Sequence, residues 1–487
     1  MMFVPLSGFA PDLDPTTPGV IVAASNVIPT LKGMKAGYSA VSAGAAALAA
    51  ACKGAAALRK LDETNRLFAG TATAIYELNS TTWTDRTRAV GGAYTLATAN
   101  RWRYAQYGNV SLAAAKSDTL QSSTSGAFAD IAGAPKFDSI ITVNDFVIGF
   151  NYNNGTDTVD GWFCSALGDY TNWTPSVSTQ CANGRLVSQP GPIVGAKRFG
   201  DNAIAYKKRA MYLGVYQGGG NPWAWQEISG EVGALNHEAI MPIVTEQGGS
   251  IHLFMGDGDF YAYSGGQPQS IGAPVREFVF ANLNRGATYL CEAIHDQTKG
   301  IVYFYYPSAA STVADKCVVF NYRTNKWGTD DRTIETTVQF IDTGDTYSSF
   351  MTAYTTYSAI PSQTYQEMLA VSDITIVTVL DSTHTMYTLT GTSGTSSVTT
   401  GDFGNDDDFV LLKRVRPRFL SSPTSGTMIN YYRNSPGDTL TTDATTTLSS
   451  GKFDVLRSSR WHRVKMTFSG DMELTGLSYD AGGASNE

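Results

Sequence analysis

From residue 66 onward the sequence consists mainly of short runs of Val, Ile, Phe, Tyr and Thr, separated by Gly, Asn and Asp. β-Branched and aromatic side chains favour strands, and the separating residues favour tight turns. The clearest hairpin is IHLFMGDGDFYAYSGG at 251–266, where Asp257 and Gly258 suit a turn with positive φ. A chain patterned in this way is expected to be all-β.

An internal repeat narrows the architecture. Several predicted hairpins end in an aromatic or apolar residue near a polar turn, and these residues are Trp83, Phe128, Trp173, Trp225, Ile271 and Trp327. Successive members lie 45 to 56 residues apart, close to the roughly 40 to 50 residues of a four-stranded propeller blade. The sequence therefore predicts a β-propeller of six or seven blades over residues 66–391. The strand pair 372–381 and 383–391 is either another blade or a transition element.

The alternative is that Trp often closes hairpins, so that this spacing belongs to ordinary β sequence. Radial blades nevertheless explain how an all-β chain buries its core with only short exposed sheet edges.

Three segments lie outside the predicted propeller. Residues 1–65 begin with the Pro-rich SGFAPDLDPTTPGV and are expected to be extended, completing either a blade or the platform. Ala and Leu propensity alone would make 42–61 a helix, but its Gly residues and the break at Lys53 oppose that reading. Residues 392–409 are small, polar and turn-rich, which predicts a linker or loop. Residues 410–487 are expected to form a C-terminal antiparallel β module.

The chain is poor in charge and slightly acidic. Only 16% of residues are charged, and 35 Lys and Arg oppose 43 Asp and Glu, for a net charge of -8. Proteins that neutralise phosphates usually carry a basic excess, so tight wrapping of DNA is disfavoured. An acidic passage through which DNA slides without sticking remains compatible with this charge.

Basic residues are concentrated near the C-terminus. Strand alternation places Arg414, Arg416 and Arg418 on one face, which either binds an acidic partner or is a solvated face paired with Asp454 or with Asp406 to Asp408. Ten of the 35 basic residues lie in this region: Lys413, Arg414, Arg416, Arg418, Arg433, Lys452, Arg457, Arg460, Arg463 and Lys465.

No catalytic, cofactor or metal site is predicted. The sequence lacks HExxH, GxSxG and GxxxxGK[ST] motifs. The acidic clusters 256–259 and 406–408 lack calcium-loop spacing and suit ordinary turns. SALGDYTNW at 165–173 distantly resembles the Asp-box of sialidases, but its order at Gly168 and Asp169 departs from that pattern. The five histidines are widely separated: His237, His252, His295, His384 and His462.

The remaining sequence signals concern the cellular compartment of the protein. No two of the five cysteines have CxxC spacing, and they are expected to be reduced and mostly buried. They are Cys52, Cys164, Cys181, Cys291 and Cys317. The first 15 residues lack the basic and apolar regions of a secretory signal. Residues 36–52 are too few and too weakly apolar for a bilayer, so no membrane span is predicted.

Four stretches occur in a recognisable order: the opening FVPLSGFAPDLDPTTPGVIVAASNVIPTLKGMKAGYSAV, the blade RLFAGTATAIYEL followed by WTD, then VVFNYRTNKW, and the closing RVRPRFL with RWHRVKMTFSGDMELTGLSYD. Together they resemble the tail nozzle proteins of short-tailed bacteriophages, also called packaged-DNA stabilisation or tail tubular proteins. The resemblance spans most of the chain, and the ordered series of start, blades and basic β tail carries it.

This resemblance implies a structural virion protein without catalytic residues or cofactors. It implies a homohexameric ring that sits below the portal and adaptor (head-to-tail connector) protein, extends the DNA exit channel and retains packaged DNA until ejection. Tail spikes or fibres would be further partners, and genomic DNA would pass without sequence-specific binding. The location implied is the virion tail, after synthesis and folding in the host bacterial cytoplasm.

Two alternatives stay open. One is a carbohydrate-binding or cleaving propeller of a phage fibre or surface protein, because exposed Trp and Tyr stack on sugars. The other is a generic interaction scaffold, since one architecture hosts many functions.

Overall fold

The computed structural model describes residues 2–245, 248–342, 374–435 and 437–483. Strands dominate this part of the chain, in which the helical elements are α1 (Arg276–Phe280) and one 3-10 turn (Thr288–Leu290). The N-terminal segment contains β1 (Met2–Pro5), β2 (Gly8–Phe9), β3 (Val20–Ser25), β4 (Val27–Pro29), β5 (Met34–Ala36) and β6 (Ser39–Ser42).

Four-stranded antiparallel units follow, and we call them blades 1 to 7. Blade 1 contains β7 (Ala55–Arg59), β8 (Asn65–Gly70), β9 (Ile75–Asn79) and β10 (Thr82–Asp85). Blade 2 contains β11 (Arg103–Tyr107), β12 (Val110–Ala115), β13 (Asp118–Ser123) and β14 (Ala129–Asp130). Blade 3 contains β15 (Lys136–Val143), β16 (Phe146–Asn153), β17 (Asp157–Cys164) and β18 (Ala182–Arg185). Blade 4 contains β19 (Ile193–Phe199), β20 (Asn202–Lys207), β21 (Met211–Tyr216) and β22 (Trp223–Ser229). Blade 5 contains β23 (Ile240–Val244), β24 (Ser250–Met255), β25 (Phe260–Tyr263) and β26 (Gln269–Ser270). Blade 6 contains β27 (Glu292–Asp296), β28 (Ile301–Tyr306), β29 (Lys316–Asn321) and β30 (Lys326–Asp330).

Blade 7 combines strands from both ends of the propeller sequence. It contains β31 (Thr336–Asp342), β32 (Ile374–Leu380) and β33 (Met386–Gly391), and its fourth strand is β6, which pairs antiparallel with β33. The strand pair that the sequence left unassigned is therefore β32 and β33, while Ser372 and Asp373 lie outside the described residues.

Blades pack face to face because both sides of their strands are apolar. In β28, Val302 and Phe304 belong to the core shared with blade 5, whereas Ile301 and Tyr303 belong to the core shared with blade 7. Successive side chains of a strand point to opposite faces, so one strand supplies two cores.

Seven such cores join the described blades in a cycle. The cores between blades 1 and 2, 2 and 3, 3 and 4, and 4 and 5 are followed by those between 5 and 6 and between 6 and 7. The cycle closes where Leu380 of blade 7 packs with Leu67 of blade 1. The predicted all-β propeller of six or seven blades with an additional C-terminal β module is thus confirmed.

The C-terminal module contains β34 (Thr395–Thr400), β35 (Phe403–Gly404), β36 (Val410–Ser421), β37 (Ser425–Arg433), β38 (Thr441–Thr442), β39 (Thr446–Thr447), β40 (Phe453–Ser459), β41 (Trp461–Ser469) and β42 (Glu473–Gly483). One of its sheets continues the sheet of blade 6, in the order β30, β4, β5, β42, β36, β40. The other runs β2, β3, β34, β41, β37, β38. Val415 of the first sheet and Met466 of the second share one core.

Two predicted boundaries need correction. Residues 392–409 are not simply a linker or loop, because β34 pairs with both β3 and β41, and β35 pairs with β41. Their small polar side chains misled the prediction, since Ser396 and Thr400 are buried within that pairing. Propeller strands also occur before residue 66, because β7 begins at Ala55 and β6 belongs to blade 7. Residues 1–65 contain β6, which completes blade 7, and β1 to β5, which belong to the module sheets.

Candidate functional site

Charged side chains meet where the first strands of the blades converge. Arg103 begins β11, Glu292 begins β27, and Glu238 lies two residues before the start of β23. An innermost strand has a neighbour on one side only, so its free edge faces the axis of the ring. Residues as far apart in the sequence as Arg101 and Glu292 come into contact in this way.

Two buried arginines organise these charges. Nε of Arg103 donates to Oε1 of Glu238 at 3.0 Å, and Nη1 lies 2.8 Å from Oδ1 of Asp138. Arg101 is ion-paired with Oε1 of Glu292, whose Oε2 accepts a hydrogen bond from the backbone N–H of Thr337 at 2.6 Å. We call Arg101, Arg103, Asp138, Glu238 and Glu292 the central cluster. Its contacts connect blades 2, 3, 5, 6 and 7.

The two central glutamates have different electrostatic surroundings. Burial raises the pKa of Glu292 above its usual value, against the opposite effect of Arg101. Burial also favours protonation of Glu238, but the positive charges of Arg103 and Lys197 outweigh burial and lower the pKa of Glu238. Glu238 is therefore ionised at neutral pH.

A cavity of about 230 Å³ adjoins the central cluster, and we call it the central cavity. First strands of six blades line it: β7, β11, β19, β23, β27 and β31. On one side of the central cavity, β7 contributes the small residues Ala55, Ala56 and Ala57. Another side contains Lys197 and His237. The arrangement offers both cationic and anionic groups to a small molecule at the ring axis.

The predicted basic face is present in β36. Val415 and Pro417 are buried, whereas Arg414 and Arg416 are half-buried and Arg418 is exposed, as strand alternation requires. Arg414 lies 3.4 Å from Asp480 and 3.9 Å from Asp454. We refer to Arg414, Arg416 and Arg418 as the basic face.

Most of the other basic residues near the C-terminus are paired. Arg433 and Arg463 both contact the buried Asp402, Arg457 contacts Asp443, and Lys452 contacts Asp454. Of the acidic residues proposed as partners, Asp406 instead accepts a hydrogen bond from the indole of Trp461.

The module also holds a larger and more apolar pocket of about 460 Å³, which we call the module pocket. It lies between the N-terminal segment and β41 and β42, with Val4, Leu6 and Leu477 in its lining. Phe403 and Tyr479 stack there with ring centroids 4.1 Å apart, next to Trp461.

The histidines lie at separate places in the fold. His237 lines the central cavity. His252 contacts the hydroxyl of Tyr206, His295 that of Tyr322, His384 the carboxylate of Glu335, and His462 the carbonyl of Val410. Within the described residues, no three His, Cys, Asp or Glu side chains are grouped in a way that would hold a metal ion. All five cysteines are buried free thiols.

The acidic and Asp-box-like segments form turns. Asp257 pairs with Arg209 and Arg285, and the side chain of Asn405 accepts backbone N–H groups of the 406–408 cluster. In 165–173, Asp169 accepts the N–H of Thr171 at 2.9 Å, and Trp173 is buried.

Sequence reasoning missed the central cluster. Its members lie in different blades, and no motif spacing connects them. The available signal was weak: Glu292 begins the strand EAIHD, which also contains His295 and Asp296, so it does not stand out in its surroundings.

No protein-family model matches the chain, and no curated protein matches it. Among solved structures, "YCF48 bound to D1 peptide" is similar at 12% identity and a TM-score of 0.35, covering 62% of this chain and 86% of that one. "YCF48 from Cyanidioschyzon merolae" is similar at 11% identity and a TM-score of 0.34, covering 63% and 93%. The blade assignment rests on the strand pairing of the chain itself. No helix in the described ranges has the length and apolar character needed to cross a bilayer.

Proposed function

We propose that this protein is a structural virion component that forms the tail nozzle ring of a short-tailed bacteriophage. In this role six copies extend the DNA exit channel below the portal and adaptor, and help retain packaged DNA until ejection. Tail spikes or fibres attach to the same assembly, and the genome passes without sequence-specific contacts. The ordered resemblance of the opening, blade and closing sequences motivates the proposal.

The observation that carries the proposal is the continuous sheet between propeller and module. Backbone pairing runs from blade 6 through β4 and β5 into β42, and β1 pairs with β42 as well. Paired strands join the propeller to its module more stiffly than a flexible linker would. A stiff joint suits the wall of a channel that is under mechanical load.

The proposed mechanism assigns separate tasks to the parts. The blades supply a stiff wall, and the loops and module make heterologous contacts that close a ring by rotation. The net charge of -8 limits adhesion of DNA during its passage.

Mass photometry and electron microscopy of the purified full chain test this proposal. The expected result is a six-fold ring of six 52.2 kDa chains, formed alone or on addition of the adaptor. Monomers under both conditions, or a ring whose channel is strongly basic, would contradict it.

A carbohydrate-binding propeller is the second candidate, and the aromatic rings of the module pocket favour it. Phe403, Tyr479 and Trp461 present ring faces or edges beside a cavity large enough for a sugar residue. Binding of bacterial polysaccharide, lost on substitution of Trp461, together with no association with adaptor, would select this candidate over the nozzle.

A further inference from the structure

The central cavity contains groups that the fold does not use. The carboxylates of the central cluster are paired: Glu238 with Arg103, Asp138 with Arg103, and Glu292 with Arg101. Lys197, in β19, makes no ion pair within 4 Å and no hydrogen bond with any of the residues described. Lys197 thus lines the cavity without a direct ion pair, although the charge of Glu238 acts on it from a greater distance.

Burial affects this ammonium directly. It lowers the pKa of Lys197 below the usual value of 10.5, and Arg103 adds to the effect, against the opposite influence of Glu238. An anion bound in the cavity would relieve this penalty, because an opposite charge within about 4 to 6 Å favours the charged form.

His237 supplies a second donor. Its Nδ1 accepts the backbone N–H of Ala196 at 3.3 Å, so the neutral ring carries its proton on Nε2. Burial lowers the pKa of His237 well below 6.5, which keeps the ring neutral at pH 7. Nε2 has no hydrogen-bond acceptor among the described residues, and the side chain lines the cavity.

We propose that the central cavity binds a small carboxylate, with Lys197 as its ion-pair partner and the Nε2–H of His237 as a hydrogen-bond donor. The volume of about 230 Å³ suits a small ligand, since pockets for drug-sized molecules measure about 300 to 1,000 Å³. A monoanion is favoured over phosphate because the ionised Glu238 shares the cavity and repels a second negative charge. This binding goes beyond the nozzle role and does not depend on it.

Acetate is the probe, and the full chain is the protein to use. We expect acetate to raise the thermal unfolding midpoint by about 2 °C or more over chloride at equal ionic strength. Lys197→Gln, which keeps much of the side-chain length without its charge, should weaken acetate binding at least about tenfold in calorimetric titration. Lys208→Gln, at an exposed lysine of the same blade, should bind like the unchanged protein. Equal effects of acetate and chloride, or unchanged affinity in Lys197→Gln, would overturn the proposal.

A second measurement needs no variant and covers the case in which Lys197→Gln fails to fold. Saturation-transfer NMR on the unchanged protein should show transfer to the acetate methyl group, reduced by formate and much less by equimolar phosphate. Absence of transfer would overturn carboxylate binding, and stronger displacement by phosphate would overturn the preference for a monoanion.

Discussion

At the scale of single residues, the interior of this propeller contains ionisable groups whose charge depends on burial. His252 is fully buried between the hydroxyl of Tyr206 and the carbonyl of Arg198, at 2.7 and 2.9 Å. His295 is buried beside Tyr322. Burial lowers the pKa of each imidazole to about 4. These histidines therefore serve the fold as neutral hydrogen-bonding groups.

A pH dependence follows from those two histidines. In the unfolded chain they take up protons below about pH 6.5, whereas in the folded chain they stay neutral until about pH 4. The unfolded state binds more protons in this window, so the free energy of unfolding falls as pH decreases from 6.5 to 4. The loss should approach about 3 kcal/mol per histidine at pH 4.

Urea unfolding at a series of pH values checks this prediction. His252→Gln should lower stability at pH 7.5 but make the decline toward pH 4 shallower, because one proton-linked histidine is gone. Equal stability of the unchanged protein at pH 7.5 and pH 4.5 would contradict the prediction.

At the scale of elements, the junction of β30 with β4 joins the propeller to the module. The strands pair at Thr329 and Val27. Gly328 permits this close approach, since an added Cβ would lie 2.2 Å from the carbonyl oxygen of Val27. The requirement for glycine at this position is steric, because backbone atoms cannot move aside as a flexible side chain can.

Gly328→Ala should separate β30 from β4 and lower the free energy of unfolding by about 1 to 3 kcal/mol. Urea unfolding measures the loss, and limited proteolysis should cut the N-terminal segment faster. Gly394→Ala is the matched control, because an added Cβ there meets no atom within 4 Å. Equal stability of the two variants would show that the junction does not depend on this contact.

At the scale of the whole molecule, the ring of blades and the module form one structure. The fourth strand of blade 7 comes from the N-terminal segment, and β1 pairs with the last strand, β42. These pairings cover the free edge of β33 and attach β1 to the body of the molecule. They leave the outer surface of the module, including the basic face, as a surface for contacts between molecules in the proposed assembly.

Arg418→Glu tests that surface. Arg418 is exposed, and its Nε donates a hydrogen bond to Oγ of Ser478 at 3.3 Å, so we expect the substitution to change the free energy of unfolding by less than about 0.5 kcal/mol. Binding to an acidic adaptor surface should weaken several-fold, and raising the salt concentration should reduce the difference from the unchanged protein. Co-sedimentation at low and high salt measures this.

Lys208→Glu makes the same charge change on an exposed residue of blade 4 and should bind normally. If both variants lose binding equally, net charge rather than the basic face decides association.

Local patterns in the sequence determined the strands and much of the blade repeat. Apolar and aromatic residues on both sides of Asp257-Gly258 specify the hairpin of β24 and β25, because strand propensity and turn geometry depend on neighbouring residues. The repeat markers succeeded for a physical reason: Trp83, Trp225 and Trp327 lie in the fourth strands of their blades.

Tertiary structure decided which distant segments pair. Residues 395–400 become a strand only because β3 and β41 supply its backbone hydrogen bonds, and Ser39–Ser42 belongs to blade 7 only because β33 offers a free edge. The Ala-rich run 42–61 likewise packs Leu48 and Cys52 between blades 1 and 7 instead of forming a helix. The central cluster depends on the same closure, since Arg101 and Glu292 are 191 residues apart. No local pattern encodes contacts of that range, because only the closed ring of blades brings their strands to a common axis.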